Sequence, residues 1–320
     1  MASTTKIMTA LLVLERSRLD AMATVPAEAA VGGSTADLVT GERLRVRDLL
    51  VGLMVPSGND AAITLAVHVS GSQSRFVALM NRRARQLGLR DTRFQTPHGL
   101  DVPGHHSTVR DLVRLAQVAM ERPQLRRIVA MRSATVPGPF GSGRRSYEAQ
   151  NDLLRADPEV DGVKSGHTSG AGYALVAHAE RDRLGVDLFA ALIGSPSEGQ
   201  RVVDGRRLLD YGFRQYARPT LVSRGQVYGR ARVYQRPGVR VAYRAARRLV
   251  APIRLGRPIV ERVVAPPELR APVRAGQVVG RVEVREGARL LGRVDLVAAD
   301  SVAAPGVLDR LRAAWGNLLP

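Results

Sequence analysis

The chain has 320 residues, 45% of them hydrophobic, with no cysteine, one tryptophan and a formal net charge of +19. Apolar content of that order at that length supplies one large core or two ordinary ones and excludes a disordered chain. Disulfides, thiol catalysis and cysteine-ligated metals are excluded, and the longest apolar runs, such as residues 188–193, fall far short of the roughly 18–20 residues a membrane-spanning helix needs.

The first two thirds read as helices followed by strands. Residues 3–14 are strongly apolar, with Ser or Thr available to cap a helix start. A second short helix over residues 45–55 must stop at Pro56, which lacks a donor N–H. Residues 60–69 read as a buried helix opened by an Asn-Asp cap. Residues 74–87 place Phe76, Val77, Met80, Ala84 and Leu87 on one stripe, and residues 107–120 repeat the pattern with Val109, Leu112, Val113 and Ala116. After Arg132 the period changes. Residues 173–179 and 184–193 form a predicted antiparallel hairpin across Glu-Arg-Asp-Arg, and residues 197–211 a closing helix with Val202, Val203, Leu208 and Leu209 on its apolar side.

From about Arg218 the helical period disappears. Residues 226–234, 239–243, 259–264 and 277–284 alternate apolar and polar side chains between Gly and Pro, and Glu286-Gly287 reads as a hairpin turn between the last two strands. This predicts an α/β domain over 1–217, a small all-β domain over 218–303 and an amphipathic tail over 304–320. In the tail, Leu308, Leu311, Trp315 and Leu318 share one side, which suits either an interfacial membrane foot or a helix docked on the protein. Residues 218–320 carry 20 arginines against 7 acidic residues. That excess points to an anionic partner. With only 4% aromatics and arginines spread along alternating strands, an anionic surface is expected and nucleic acid is not.

Of the 48 basic side chains 46 are arginine, and the two lysines are Lys6 and Lys164. An amine can lose its proton when desolvated, whereas a guanidinium stays charged and planar. Lys6 follows Ser3 by three residues, so on a helix the amine reaches the hydroxyl, and a neutral lysine there can activate serine as a nucleophile. Ser57-Gly58-Asn59 follows Pro56 in a loop between two predicted helices, where a hydroxyl and an amide can be held beside a cleft. Lys164-Ser165-Gly166 precedes the strand at Tyr173; charge, hydroxyl and a glycine that admits close approach suit a bound carboxylate. Each triplet alone is a short motif with a high chance rate.

Ser-x-x-Lys, Ser-x-Asn and Lys-Ser/Thr-Gly in this order form the signature of penicillin-binding proteins and serine β-lactamases. Residues 49–62, LLVGLMVPSGNDAA, together with 88–94, 98–100 and 160–168, further resemble the low-molecular-mass, serine-type D-alanyl-D-alanine carboxypeptidases. The resemblance is strong over residues 2–215 and weaker beyond, where residues 272–277 are similar to the family's second domain. It implies a β-lactamase/transpeptidase-like α/β fold, an antiparallel sheet flanked by helices, with a small second all-β domain.

The resemblance also implies the chemistry, which needs no metal or cofactor. Ser3 would be acylated by the penultimate D-alanine carbonyl of a peptidoglycan stem peptide, Lys6 would accept its proton, and Ser57 would relay a proton to the departing D-alanine. Asn59 would hold the peptide amide, Lys164 and Ser165 the terminal carboxylate, and the backbone N–H groups of Ser3 and His167 the oxyanion. Which lysine or serine acts as base in each half-reaction stays open. His98 is expected to order its loop. β-Lactams would be covalent inhibitors, and the site of action would be the extracytoplasmic cell envelope.

Three departures from the family pattern stand out. Ser165 replaces the usual threonine, an arginine common ahead of the third triplet is replaced around Gln150-Asn151, and the nucleophile lies two residues after Met1. The last predicts a missing amino-terminal segment, with the signal peptide and first sheet strands of the family. The alternatives are a serine β-lactamase, for which Glu148 and Glu159 lack a recognisable context, and a non-catalytic wall-binding protein.

Overall fold

The computed structural model describes the backbone of residues 1–316 and the side chains of residues 1–311. The chain divides into two units: Met1–Arg181 with Asp187–Phe213, and Asp182–Val186 with the chain from Arg214 on. In the first unit a 3-10 turn, Ala2–Thr5, runs into α1, Lys6–Arg16. Then follow β1 (Met22–Thr24), β2 (Arg43–Arg45), α2 (Val46–Met54), α3 (Asn59–Ser70), α4 (Gln73–Leu87), α5 (Val109–Met120) and α6 (Pro123–Val129). A β3–β4 hairpin (Ser133–Pro137, Arg144–Glu148), α7 (Asp152–Ala156), β5 (Val160–Thr168), β6 (Gly172–Arg181), β7 (Val186–Ser195) and α8 (Glu198–Phe213) complete it.

Helix α1 is buried almost all round, with Ile7, Met8, Leu11 and Val13 fully enclosed. That is the position its continuous apolar sequence demands. It packs against α2, α3, α4, α5 and β5. The small side chains Ala61, Ala62 and Ala66 let α3 lie equally deep. The sheet runs β5-β6-β7, with β5 antiparallel to β6 from Val160↔Ala179 to Thr168↔Gly172. Gly205 brings α8 close onto it, since a Cβ there would sit 2.6 Å from Leu175 Cδ2.

Several local expectations shift. The start of α1 has no side-chain cap; Thr4 Oγ1 instead donates to Met1 O. Helix α3 begins after Gly58 without a side-chain cap from Asn59 or Asp60, because both are recruited elsewhere. Val109 is exposed, and the buried face of α5 is Leu112, Leu115, Ala116 and Ala119. On α8 the exposed side carries Val203 and Leu208, while Leu209, Phe213 and Arg201 are buried. The Lys-Ser-Gly triplet lies within a full strand, β5, rather than ahead of one.

The second unit is all-β up to its last helix. After β8 (Tyr216–Ala217) and β9 (Thr220–Val222) come β10 (Val227–Val233), β11 (Arg240–Ala245), β12 (Leu249–Val250), β13 (Ile253–Arg254), β14 (Ile259–Val264), β15 (Glu268–Leu269), β16 (Val278–Glu286) and β17 (Arg289–Ala298). The main sheet runs β14-β16-β17-β11-β10-β15. Its apolar alternates, among them Val282, Val284, Val294 and Leu296, form a core with Val222 and Ala245, as half-buried strands require. The predicted hairpin forms, with Glu286 opposite Arg289 and Gly287 at φ +55°. Helix α9, Val307–Gly316, exposes Leu308 and Leu311, while Asp309 pairs with Arg236 at 3.2 Å. Leu318 and the side chain of Trp315 lie outside the described residues. No helix among the described residues is long and apolar enough to cross a membrane.

Candidate active site

The 3-10 turn places Ser3 one turn ahead of Lys6, and the Lys6 Nζ lies 2.9 Å from the Ser3 Oγ. Nζ also donates to Asn59 Oδ1 at 2.7 Å and to the His98 carbonyl at 2.9 Å. The Lys6 side chain is wholly buried. Burial, followed by the charge of Lys164, pushes its pKa well below the usual lysine value, against a smaller opposing pull from Asp60.

Asn59 is held from both ends, its amide N–H donating to Gly32 O at 2.8 Å. Asp60 accepts from Thr35 Oγ1 and from the backbone N–H groups of Ala36 and Leu38. This ties the 34–38 loop to the start of α3 and explains why neither residue caps the helix. Ser57 sits at φ +65°, a left-handed conformation costing a non-glycine residue about 1–3 kcal/mol. Its Oγ is buried and has no hydrogen-bond partner among the described residues.

Strand β5 supplies the opposite wall. Lys164 is buried and donates to the Ser165 carbonyl at 2.9 Å, and burial plus the nearby Arg201 lower its pKa to about 7. Ser165 Oγ donates to Gln150 O at 2.6 Å. Gly166 lies against the nucleophile's backbone: a Cβ there would be 2.6 Å from Ser3 N. On the other side Gly99, at φ +96°, would drive a Cβ to 2.0 Å from Ala2 O. Both positions therefore admit only glycine without displacing the Ser3 turn. His167 is exposed and stacks on Tyr173 with 4.0 Å between ring centroids.

The expected residues Ser3, Ser57, Asn59, Lys164, Ser165 and His167 thus line one cleft of about 590 Å3, with Lys6 beneath it. His98 is buried and accepts from Leu100 N at 3.2 Å within its own loop, and burial above all pushes its pKa down to about 4. Sequence reasoning missed Arg201. It reaches the cleft from α8, donates to Gly166 O at 3.3 Å, is ion-paired to Asp152 and lies over the Tyr173 ring. The cleft is therefore lined by two guanidiniums, Arg155 and Arg201, although Gln150 and Asn151 stand where the family pattern has an arginine. One arginine among 46 carries no local signal.

A helix-flanked antiparallel sheet with a hydroxyl, a buried amine and a second amine around one cleft is the architecture of a penicillin-interacting serine acyltransferase. Residues 1–197 match the D-alanyl-D-alanine carboxypeptidase family, and residues 216–304 match the domain described as penicillin-binding protein 5, C-terminal domain. The chain belongs to the D-alanyl-D-alanine carboxypeptidase family of serine peptidases. It is 34% identical to D-alanyl-D-alanine carboxypeptidase DacD of Salmonella typhimurium, over 88% of this chain and 71% of that protein. It is 32% identical to DacC of Escherichia coli, over 97% and 80%. The crystal structure of penicillin binding protein 5 from Haemophilus influenzae superposes with a TM-score of 0.64 at 30% identity, covering 94% of this chain and 90% of that one.

Proposed function

We propose that this protein removes the terminal D-alanine from peptidoglycan stem peptides through an acyl-enzyme on Ser3, at the extracytoplasmic envelope. The observation that carries the reading is the Lys6 amine. In its neutral form it has two N–H groups and one lone pair. Asn59 Oδ1 and the His98 carbonyl engage the two donors, leaving the lone pair towards Ser3 Oγ. The Ser3 proton passes to that lone pair as Oγ bonds to the penultimate D-alanine carbonyl carbon. The resulting oxyanion is received by the backbone N–H groups of Ser3 and His167, which the close Gly166–Ser3 packing supports. Collapse breaks the peptide bond. The departing amine takes the proton that Lys6 accepted, relayed by Ser57 Oγ, and that hydroxyl's lack of another partner among the described residues supports the role. Water then cleaves the ester. Lys164 and Arg201 offer positive charge for the substrate's terminal carboxylate, and Ser165 a hydroxyl once its O–H turns from the Gln150 carbonyl. The second amide N–H of Asn59, left over by its bond to Gly32 O, anchors the peptide group.

Incubation with a fluorescent penicillin followed by mass spectrometry tests this. A long-lived adduct on Ser3, with D-alanine released from a peptide ending in D-Ala-D-Ala, is expected. Rapid penicillin turnover would indicate a β-lactamase instead, and absence of any adduct a non-catalytic protein.

The basic second unit supports an anionic envelope surface as a further partner. Arg230, Arg232, Arg240 and Arg244 are exposed on β10 and β11, and Arg232 faces Arg240 directly across the ladder. Like charges directly opposite cost stability, so the pair is best accommodated by an external anion. Vesicles rich in phosphatidylglycerol should bind the protein in a salt-sensitive manner, with Arg232→Gln/Arg240→Gln weakening it.

A further inference from the structure

A second cavity, of about 720 Å3, opens on the catalytic unit and shares no lining residue with the cleft. Its cationic wall is built from three places. Arg85 comes from the last turn of α4, and Arg90 follows the Gly88 cap, where the chain turns in the left-handed region. Arg93 pairs with His106 in an isolated antiparallel bridge, with reciprocal N–H···O bonds of 2.9 and 3.1 Å. Directly opposed residues of such a pair project to the same side, so the guanidinium and imidazole stand next to each other.

No carboxylate among the described residues lines this cavity. Its neutral polar side chains are already committed: Asn81 exchanges two hydrogen bonds with the Phe94 backbone, and Thr92 Oγ1 donates to Asp111. Arg83, nearby on α4, pairs with Glu15 at 2.6 Å; Arg85, Arg90 and Arg93 have no ion pair among the described residues. Three unneutralised guanidiniums around one concavity focus positive potential into it, and their forked donors match phosphate oxygens.

We infer that this cavity binds a phosphate-type polyanion, a pyrophosphate or successive phosphodiesters, since three guanidiniums call for more than the single charge of a carboxylate. The inference does not rest on the reaction proposed for the cleft.

Calorimetric titration of the full chain with inorganic pyrophosphate, and separately with a glycerol-phosphate polymer, tests it at matched ionic strength. Saturable binding that weakens with added salt is expected. Arg90→Gln/Arg93→Gln should weaken it at least tenfold with an unchanged melting temperature, because both side chains are exposed. Lys164→Gln, in the cleft, should bind pyrophosphate as the unmodified protein does. Tighter polymer binding assigns the site to an envelope polymer, and pyrophosphate binding alone assigns it to a soluble ligand. Should the double variant not fold, Arg85→Gln alone must weaken binding at least threefold. Lack of saturable binding to either probe overturns the inference, as does loss of binding in Lys164→Gln with the arginine variants unaffected.

Discussion

Gly166 and Ser3 meet backbone to backbone: a side chain at 166 would begin 2.6 Å from the Ser3 amide nitrogen and 3.2 Å from its Cα. The third triplet thus sets the position of the first. Gly166→Ala is expected to push β5 away from the nucleophile. A misplacement of about 1 Å costs on the order of 100-fold in acyl transfer, and the overpacking about 1–3 kcal/mol in stability. Penicillin acylation rates together with urea unfolding separate the two effects.

Lys6 gives the sharper test of the base. Lys6→Arg retains a cation but cannot surrender its proton, so acylation of Ser3 should fall by about 100- to 10,000-fold while far-ultraviolet circular dichroism shows a retained fold. Retained labelling would remove Lys6 from the mechanism.

For Lys164 the sign follows from its role. The amine must be charged to bind a carboxylate, and burial together with Arg201 lowers its pKa to about 7. The kcat/KM for carboxylate-bearing peptides should therefore fall as pH rises through about 7. Lys164→Arg, whose charge does not titrate, should bind more weakly yet lose that alkaline limb. A limb unchanged in the variant assigns it to another group.

Much of this site was legible because catalysis confines rare residue types to short spacings. The Ser3–Lys6 relation needs only a helical period, and the α4 stripe of Phe76, Met80 and Ala84 is buried as its spacing predicts. The rest depended on tertiary context. Strand β5 was missed because Gly162, Lys164, Ser165 and Gly166 are poor strand formers, and pairing with β6 overrides that. Asn59 and Asp60 have the residue types of caps, but their partners lie at Lys6 and the 35–38 loop, which no local pattern announces. Arg201 reaches the cleft from a helix that follows the sheet, and nothing near it in sequence marks it out.

A buried ion pair braces the other end of the same loop. Arg145 meets Glu42 in a two-point contact of 2.7 and 2.9 Å and also donates to the Asp37 and Pro137 carbonyls. Both side chains are almost fully buried. Removing one partner leaves an unpaired charge, so Glu42→Ala should cost about 3–5 kcal/mol in urea unfolding. Replacing both residues by apolar ones of similar size should cost much less.

His178 couples stability to pH with the opposite sign to the lysines. Burial pushes this imidazole down, but hydrogen bonds and charge from Asp161, joined by Asp187, outweigh it and leave the pKa raised above 6.5. A group whose pKa is raised on folding stabilises fully below its unfolded value, and that contribution is lost as pH climbs through the folded one. The lowered pKa values of Lys6 and Lys164 work the other way, because the unfolded chain binds more protons there up to about pH 10. The His178 contribution is therefore read as a difference. The melting temperature of the unmodified protein should exceed that of His178→Gln most at pH 5.5–6, a value on the order of one unit below the ordinary imidazole pKa. The gap should narrow steadily at higher pH, and a gap that stays constant with pH would show that the imidazole does not titrate between its two carboxylates.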